Sequence, residues 1–306
     1  MPRPFQCGGI AIARVGLLHY SPKPPWTAVQ LINAFESLGA TVDYLIWDYV
    51  EVGIGGECSV RHRRRCMEAY PAILLRSIGR VYTPEQLAYR EATLSMLEDR
   101  GVTVVNPVKA SFTARNKLYS LYLLARCGLP VPETVVTENV AAALRRAREW
   151  GRIVIKPIVG SLGLGSFLAD NVDMAYYIFN LLAKLNQPLY IQRYVEKRYN
   201  SDIRVFVVDG VAVAAARRLG SSWKTNVAQG ARTEPLSVDG EYSELAVKAV
   251  ECLGLLYAGV DIAEDSKNGY VIFEVNASPL WRGLQRATGV NPAVHIAAAV
   301  LRRLKR

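Results

Sequence analysis

The chain has 306 residues, 51% of them hydrophobic and 21% charged, with a formal net charge of +10. A chain of this length buries about 75% of the surface its unfolded form would expose, enough for two or three packed modules, and its composition excludes a disordered or low-complexity protein. No run reaches the roughly 18 uninterrupted apolar residues of a membrane span, since even 205–216 carries Asp209.

In chain order, apolar runs at 15–18, 42–47, 72–76 and 102–105 alternate with helical patterns at 26–38 and 84–100. That rhythm predicts βαβ units on a parallel sheet. Gly39 and Gly101 follow the two helices where αL caps belong, which sharpens both boundaries. This first α/β module is placed at residues 1–110. A helical pattern over 116–127 stops at Gly128, ahead of Pro130 and Pro132. A strand at 134–136, a helix at 140–150, a strand at 153–156, a glycine-rich loop, a returning strand at 166–169 and a helix at 172–185 follow. They predict a compact α+β module over 111–190. Strands at 189–195, 203–208, 211–217, 258–262 and 270–276, with helices at 241–253 and 292–304, assign a third module to 191–306.

Cys7, Cys58, Cys66, Cys127 and Cys252, like His19, His62 and His295, are scattered without zinc-site spacing. The odd cysteine count and the lack of a secretory pattern at the N-terminus place the protein in the cytoplasm as an expectation. The excess of positive charge suits nucleotides, acidic peptides or nucleic acid alike. The densest basic run, Arg61, Arg63, Arg64 and Arg65 around His62, has no interleaved stacking residues. It reads as a solvated loop or an anion-attracting rim, and nucleic acid is not expected as a partner.

Between Lys156 and Ser166 the glycines Gly160, Gly163 and Gly165, with Ser161 beside them, lie between two predicted strands. Bare amides there suit phosphate oxygens, but a hairpin tip would use the same residues. No Gly-Lys-Ser/Thr follows and no helix opens there, so the loop is neither a P-loop nor a dinucleotide fingerprint. Lys156 favours phosphate, because a lysine ending an apolar strand is costly to bury unpaired.

Nearer the C-terminus, Asp261 lies in one predicted strand and Glu274 and Asn276 in the next, joined across Asn268-Gly269, a hairpin turn pair. Strand periodicity puts Glu274 and Asn276 on one face and lets the partner strand bring Asp261 beside them. Three oxygen donors of this kind suit Mg²⁺ or Mn²⁺ rather than zinc; a polar cross-strand cluster is the other reading.

Together the strings Asn116-Lys117, Lys156 with its glycine loop, Gln192-Arg193-Tyr194-Val195, Asp202-Ile203-Arg204, Asn226 through Gly230, Ala258-Gly259-Val260-Asp261 and Glu274-Val275-Asn276-Ala277-Ser278-Pro279 resemble the ATP-grasp superfamily and its RimK-type α-L-glutamate ligases. The resemblance covers about residues 100–300. It implies an ATP-grasp fold behind an N-terminal βαβ, pre-ATP-grasp domain that binds substrate. It also implies ATP-phosphate contacts from Lys117 and Lys156, adenine held by Gln192, Arg193, Tyr194 and Val195 largely through backbone, and Asp202 near the ribose. Arg204 and Arg217 look like the cations that receive the transferred phosphoryl group. Lys224-Thr225-Asn226 stands where the family commonly has Arg-Ser-Asn, with Lys224 keeping the charge near the nucleotide and Asn226 in the catalytic set. Leu280-Trp281-Arg282-Gly283 after the Ser-Pro pair resembles the branch that glutamylates archaeal cofactors, so Arg282 is a candidate for a substrate carboxylate, with a packed ring and a surface cation as the milder reading.

The implied activity is an ADP-forming carboxylate–amine ligase with ATP and Mg²⁺ or Mn²⁺ as cofactors. It would join L-glutamate to a carboxylate acceptor, a cofactor or a protein C-terminus, through an acyl phosphate, in a homo-oligomer of two or four chains. The alternatives are a ligase for an amino-acid biosynthetic intermediate or a carrier protein, and a non-catalytic nucleotide- or RNA-binding protein.

Overall fold

The structure, a computed structural model, describes residues 13–79, 82–160, 164–220, 223, 232–266 and 269–305. The chain forms two compact units, one of residues up to 108 together with those from 293 onward, the other of residues 109–292.

The first unit is built from β1 (Arg14–His19), α1 (Trp26–Ser37), β2 (Thr41–Ile46), β3 (Val50–Val52), β4 (Val60–His62), β5 (Arg65–Cys66), β6 (Ala72–Leu75), α2 (Pro84–Asp99) and β7 (Thr103–Val105). β1, β2, β6 and β7 form a parallel sheet in the order β2-β1-β6-β7. Their near-continuous apolar runs, such as Val15, Leu17 and Leu18 in β1 and all four residues of β6, are buried, as parallel strands require. α2 begins with a capping box, in which the Thr83 hydroxyl accepts from the Gln86 amide while Gln86 accepts from the Thr83 amide, and Pro84 opens the first turn. The helix Pro292–Leu304 returns to this unit with Ala293, Ile296, Ala297 and Val300 buried along one stripe.

The basic run around His62 forms an exposed antiparallel hairpin, with β3 as a third strand. A disulfide joins Cys58 to Cys66 across it. Arg65 pairs with Asp43, and the Arg63 guanidinium lies 4.0 Å above the Tyr49 ring. The positive charges are thus partly taken up within the unit, and strand pairing replaces the loop expected from the sequence.

The second unit begins with α3 (Val108–Arg115) and α4 (Lys117–Arg126), the latter capped by Asn116, whose side chain accepts from the Tyr119 amide at 3.1 Å. β8 (Thr134–Thr137), α5 (Val140–Trp150), β9 (Ile153–Lys156), β10 (Phe167–Ala169), α6 (Val172–Lys184) and β11 (Leu189–Arg193) follow. The four strands make an antiparallel sheet ordered β10-β9-β11-β8. Its core packs Ile153, Ile155, Leu189 and Ile191 against Ala143, Ala147 and Phe179 of the two helices.

β12 (Ser201–Val208), β13 (Val211–Leu219), β14 (Arg232–Leu236), α7 (Glu241–Cys252), β15 (Tyr257–Asp265), β16 (Gly269–Asn276), α8 (Arg282–Thr288) and α9, the returning helix, complete the chain. The five strands are antiparallel in the order β14-β13-β12-β15-β16. One face, including Ile203, Val205, Val260, Ile262 and Val275, packs on Ala246, Ala249 and Val250 of α7. A second disulfide joins Cys127, just after α4, to Cys252 at the end of α7. No helix among the described residues is long and apolar enough to cross a membrane.

Candidate active site

A cleft within the second unit encloses about 840 Å³ of empty space, open solvent at its mouth included. Ten of the residues singled out from the sequence line it: Lys117, Lys156, Gly160, Gln192, Arg193, Tyr194, Val195, Asp202, Asp261 and Glu274. They come from α4, β9 and the loop after it, β11 and the residues beyond it, β12, β15 and β16.

One wall is the face of the five-stranded sheet opposite α7. Arg204 of β12 stands opposite Asp261 of β15, which stands opposite Glu274 of β16. Alternation directs all three to this face. The Arg204 guanidinium grips Asp261 with two bonds, from Nε to Oδ1 and from Nη2 to Oδ2 at 2.8 Å. Arg218 of β13 grips Asp202 with bonds of 2.6 and 2.7 Å and reaches Asp261 at 2.9 Å. Burial alone would raise the Asp261 pKa, but Arg204 and Arg218 outweigh it and hold the carboxyl below its usual value. Burial opposes the charge on Arg218, and Asp202 and Asp261 reverse that and raise its pKa.

Lys156 ends β9 and faces the cleft. Its Nζ donates to Gln192 Oε1 at 2.6 Å, and Gln192 Nε2 donates to Thr134 Oγ1 at 3.0 Å. Burial pushes its pKa down to about 8, Lys117 and Lys197 push the same way, and Glu274 and Asp261 oppose them. Lys197, also pulled down chiefly by burial, donates to the Trp223 carbonyl. Lys117 Nζ lies 3.4 Å from Glu274 and donates to the Gly160 carbonyl at 2.6 Å, tying the start of α4 to the glycine-rich loop. Several cations crowded at one end of a cleft, two of them with depressed pKa values, form a site that a polyanion would stabilise.

The register shifts between Asp261 and Ile262, where Asp261 pairs with Glu274 but Ile262 pairs with Ile272. Phe273 is the extra residue of this bulge, and so Phe273 and Glu274 line the cleft as consecutive residues. The Phe273 ring lies 5.3 Å from Lys156 Nζ and 6.0 Å from Lys197 Nζ. Val154, Lys197, Arg218, Trp223 and Phe273 are lining residues that the sequence reading did not single out.

Other candidates fall elsewhere. Arg217 faces away from the cleft, because its neighbour Arg218 takes the inward position opposite Asp202. It bonds Ser201 Oγ at 2.9 Å and Glu264 at 3.1 Å. Gly165, at φ 71°, and Asn276 are not among the lining residues, although Leu164 and Ser166 flanking the glycine are. Asp202, expected near the ribose, is paired with Arg218, and Arg204, expected to meet the transferred phosphoryl group, is paired with Asp261. Trp281 is 1% exposed, edge-on to Phe206 with centroids 5.7 Å apart, and is a core ring. Ser161, Gly163, Lys224 and Asn226 lie outside the described residues.

Two carboxylates face each other across neighbouring strands and offer hard oxygens, the donor type a divalent ion takes, with both oxygens of Asp261 engaged by Arg204 and Arg218. Glu274 meets Lys117 through a single 3.4 Å contact and keeps oxygen sites open for a ligand.

A family model described as a RimK-like ATP-grasp domain matches residues 114–300. The tetrahydromethanopterin:alpha-L-glutamate ligase of Methanosarcina acetivorans is 33% identical to this chain, over 92% of it and 97% of that protein. The alpha-aminoadipate–LysW ligase LysX of Saccharolobus solfataricus is 35% identical over 65% of this chain and 74% of its own. In fold, the chain is similar to the ATP-grasp ligase PsnB, whose structure was solved with a minimal precursor, Mg and ADP, at a TM-score of 0.73 and 23% identity, covering 95% of this chain and 98% of that one. ATP-grasp ligases use ATP and Mg²⁺. The lysines, the loop and the paired acidic strands described above all fall within the matched residues, and the chain belongs to the RimK-like ATP-grasp family of ligases.

Proposed function

We propose that this protein is an ADP-forming ligase that adds L-glutamate to a carboxylate acceptor through an acyl phosphate. The observation that carries this reading is the meeting of Lys117, Lys156, Asp261 and Glu274 on one cleft. Lys117 and Lys156 would meet ATP phosphates. The amides of Arg193 and Tyr194 already donate to the carbonyls of Glu133 and Arg152, so Val195 is the amide proposed for adenine. Phe273 would lie against the base or sugar. Asp202 is engaged by Arg218, and its proposed task is to hold that arginine rather than the ribose.

Asp261 and Glu274, with Asn276 two residues on, would hold Mg²⁺, or Mn²⁺ in its place. When bound, the ion supplies neutralisation of phosphate charge. A carboxylate oxygen of the acceptor attacks the γ-phosphorus of ATP, ADP leaves, and the acyl phosphate forms. The amine of glutamate then attacks the acyl carbon, and phosphate leaves with the C–O electron pair. Arg204, resting on Asp261, is the cation placed to meet the developing oxyanion. Arg217 is left out of this assignment because it serves the opposite face of the sheet.

Two relatives that match 92% of the chain are glutamate ligases, although matches over about two thirds of it include both glutamate ligases and LysX, and glutamate transfer is therefore the reading put forward ahead of a carrier-protein substrate. The proposed setting is the cytoplasm, as a dimer or tetramer.

Purified protein incubated with ATP, Mg²⁺, L-glutamate and a panel of carboxylate acceptors should release ADP only with its acceptor and yield a product heavier by one glutamyl residue. ATP binding without ADP release from any acceptor would count for the non-catalytic alternative. Glu274→Ala should abolish turnover while leaving the melting temperature within a few degrees of wild type; unchanged turnover would remove Glu274 from the site.

A further inference from the structure

α6 is apolar on two opposite faces. Ala175 and Phe179 are buried in the core beneath the four-stranded sheet, with Ile178 and Leu182 packed beside them. On the other side Met174 is 42% exposed, Tyr177 73%, Leu181 57% and Leu185, the C-cap, 59%. Their spacing of three, four and four residues makes one continuous stripe along the helix. Tyr176, edge-on to Tyr177 with ring centroids 5.8 Å apart, widens the patch. α5 belongs to the same core and follows the ordinary rule for a surface helix, with Arg145, Arg146, Arg148 and Glu149 exposed. The outward apolar stripe is thus particular to α6, and a contiguous exposed patch of this kind marks a contact surface.

The charges at the two ends of the stripe indicate what covers it. Asp173 in the first turn and Lys184 in the last are exposed, and neither has an ion-pair partner among the described residues. At 3.6 residues per turn both lie within about 40° of Tyr177, on the same edge of the stripe. A second copy of α6 laid antiparallel on the first, about a two-fold axis perpendicular to both helices near position 179, sets Tyr177 against Leu181 of the second copy. Such an axis keeps the two charged edges on one side of the contact. Asp173 then meets Lys184 of the second copy, and symmetry repeats the pair, so the stripe complements itself in charge as well as in apolar contact. Antiparallel packing also opposes the two helix dipoles favourably. A parallel arrangement would set Asp173 against Asp173 and Lys184 against Lys184.

We infer that α6 is a two-fold interface between copies of this chain, packed antiparallel through Met174, Tyr177, Leu181 and Leu185. The inference rests on the proposed dimer or tetramer, for which it names the contacting face, and on nothing in the ligase chemistry.

Sedimentation velocity of the full chain, from low to high micromolar concentration, tests it. Wild type should sediment as a dimer or tetramer. Tyr177→Glu with Leu181→Glu should halve the mass of the assembly while the far-ultraviolet circular dichroism is unchanged. Asp173→Lys and Lys184→Asp, each alone, should raise the dissociation constant roughly three- to thirtyfold, since both symmetry-related pairs become repulsive. Combined, they should bring it back near the wild-type value, a rescue that a purely structural role for either residue would not give. An oligomeric wild type whose mass the apolar variant leaves unchanged would put the interface elsewhere and overturn the inference while the oligomer stands. A monomeric wild type would overturn both. A combined variant that associates no better than the single reversals would overturn the antiparallel pairing. ADP release with the acceptor panel, measured separately, reports on the ligase reading alone.

Discussion

Lys156 shows how one residue couples the fold to its ligand. With its pKa lowered to about 8, the folded chain has lost this proton over a range where the unfolded chain still holds it. Stability therefore rises as pH increases from about 8 towards the usual lysine value, and the full penalty for burying the charge is present below about 8. ATP phosphates would restore the charge. ATP binding at about pH 9 should take up most of a proton, seen as a dependence of calorimetric heat on buffer ionisation, and little at about pH 7. Lys156→Arg should remove that uptake at high pH, and heats that do not depend on the buffer in wild type would show that phosphate does not meet this lysine. His19 illustrates the same physics in the first unit, where burial and a neighbouring guanidinium keep an imidazole neutral.

At the scale of elements, strand pairing decides which side chains meet. Arg217 and Arg218 are adjacent, yet one lies half-buried with Glu264 on the side of the sheet away from the cleft and the other is buried between Asp202 and Asp261. Arg218→Met should cost about 3–5 kcal/mol in urea unfolding, because buried Asp202 loses the two-bond grip of its arginine and Asp261 is left with Arg204 alone. Arg217→Met should cost about 1 kcal/mol or less, since its pair is partly solvated. Equal costs would contradict this division of the two faces. Gly259 of β15 is a second case: a Cβ there would lie 2.9 Å from both Arg204 Nη1 and Pro279 Cβ. Gly259→Ala should displace the Arg204 guanidinium and lower kcat at least tenfold under the proposed role of that arginine, with a smaller change in melting temperature; unaltered kcat would separate Arg204 from the chemistry. These cases also explain what could be read in the sequence. Helices with clear caps and apolar runs with clear period, such as those of α2, α4, β1 and β9, were legible because local chemistry specifies them. Which of two adjacent arginines turns inward was not, because it depends on the register of β12 against β13. Phe273 was missed for a related reason, as strict alternation would send it away from Glu274 and only the bulge brings both into the cleft. Lys197 and Trp223 lie outside the strands and carry no periodic signal. The β4–β5 hairpin was hidden because Arg61, Arg63, Arg64 and Arg65 offer no apolar alternation.

For the whole molecule, the spacing of the cysteines did not reveal the two disulfides, which only the fold brings together. Cys127 and Cys252 are 125 positions apart, and closing a loop of that length in the unfolded chain stabilises the native state by about 5 kcal/mol on the chain-entropy account. The eight-residue separation of Cys58 and Cys66 implies about half of that. Cys127→Ser with Cys252→Ser should therefore lower the unfolding free energy more than Cys58→Ser with Cys66→Ser, read from denaturant midpoints with and without reductant. The reverse order would show that the longer link is not formed in the protein.

The chain passes from one compact unit to the other twice, once at residue 108 and again at 292, so the second unit is an insertion within the first. On the ribosome, the sheet of the first unit emerges early, but the stripe of Ala293, Ile296, Ala297 and Val300 is synthesised only after the entire second unit. At ordinary elongation rates that interval is on the order of ten to forty seconds. The nascent first unit must wait through it with its final helix missing, and the order of translation gives the inserted unit the first opportunity to complete its fold.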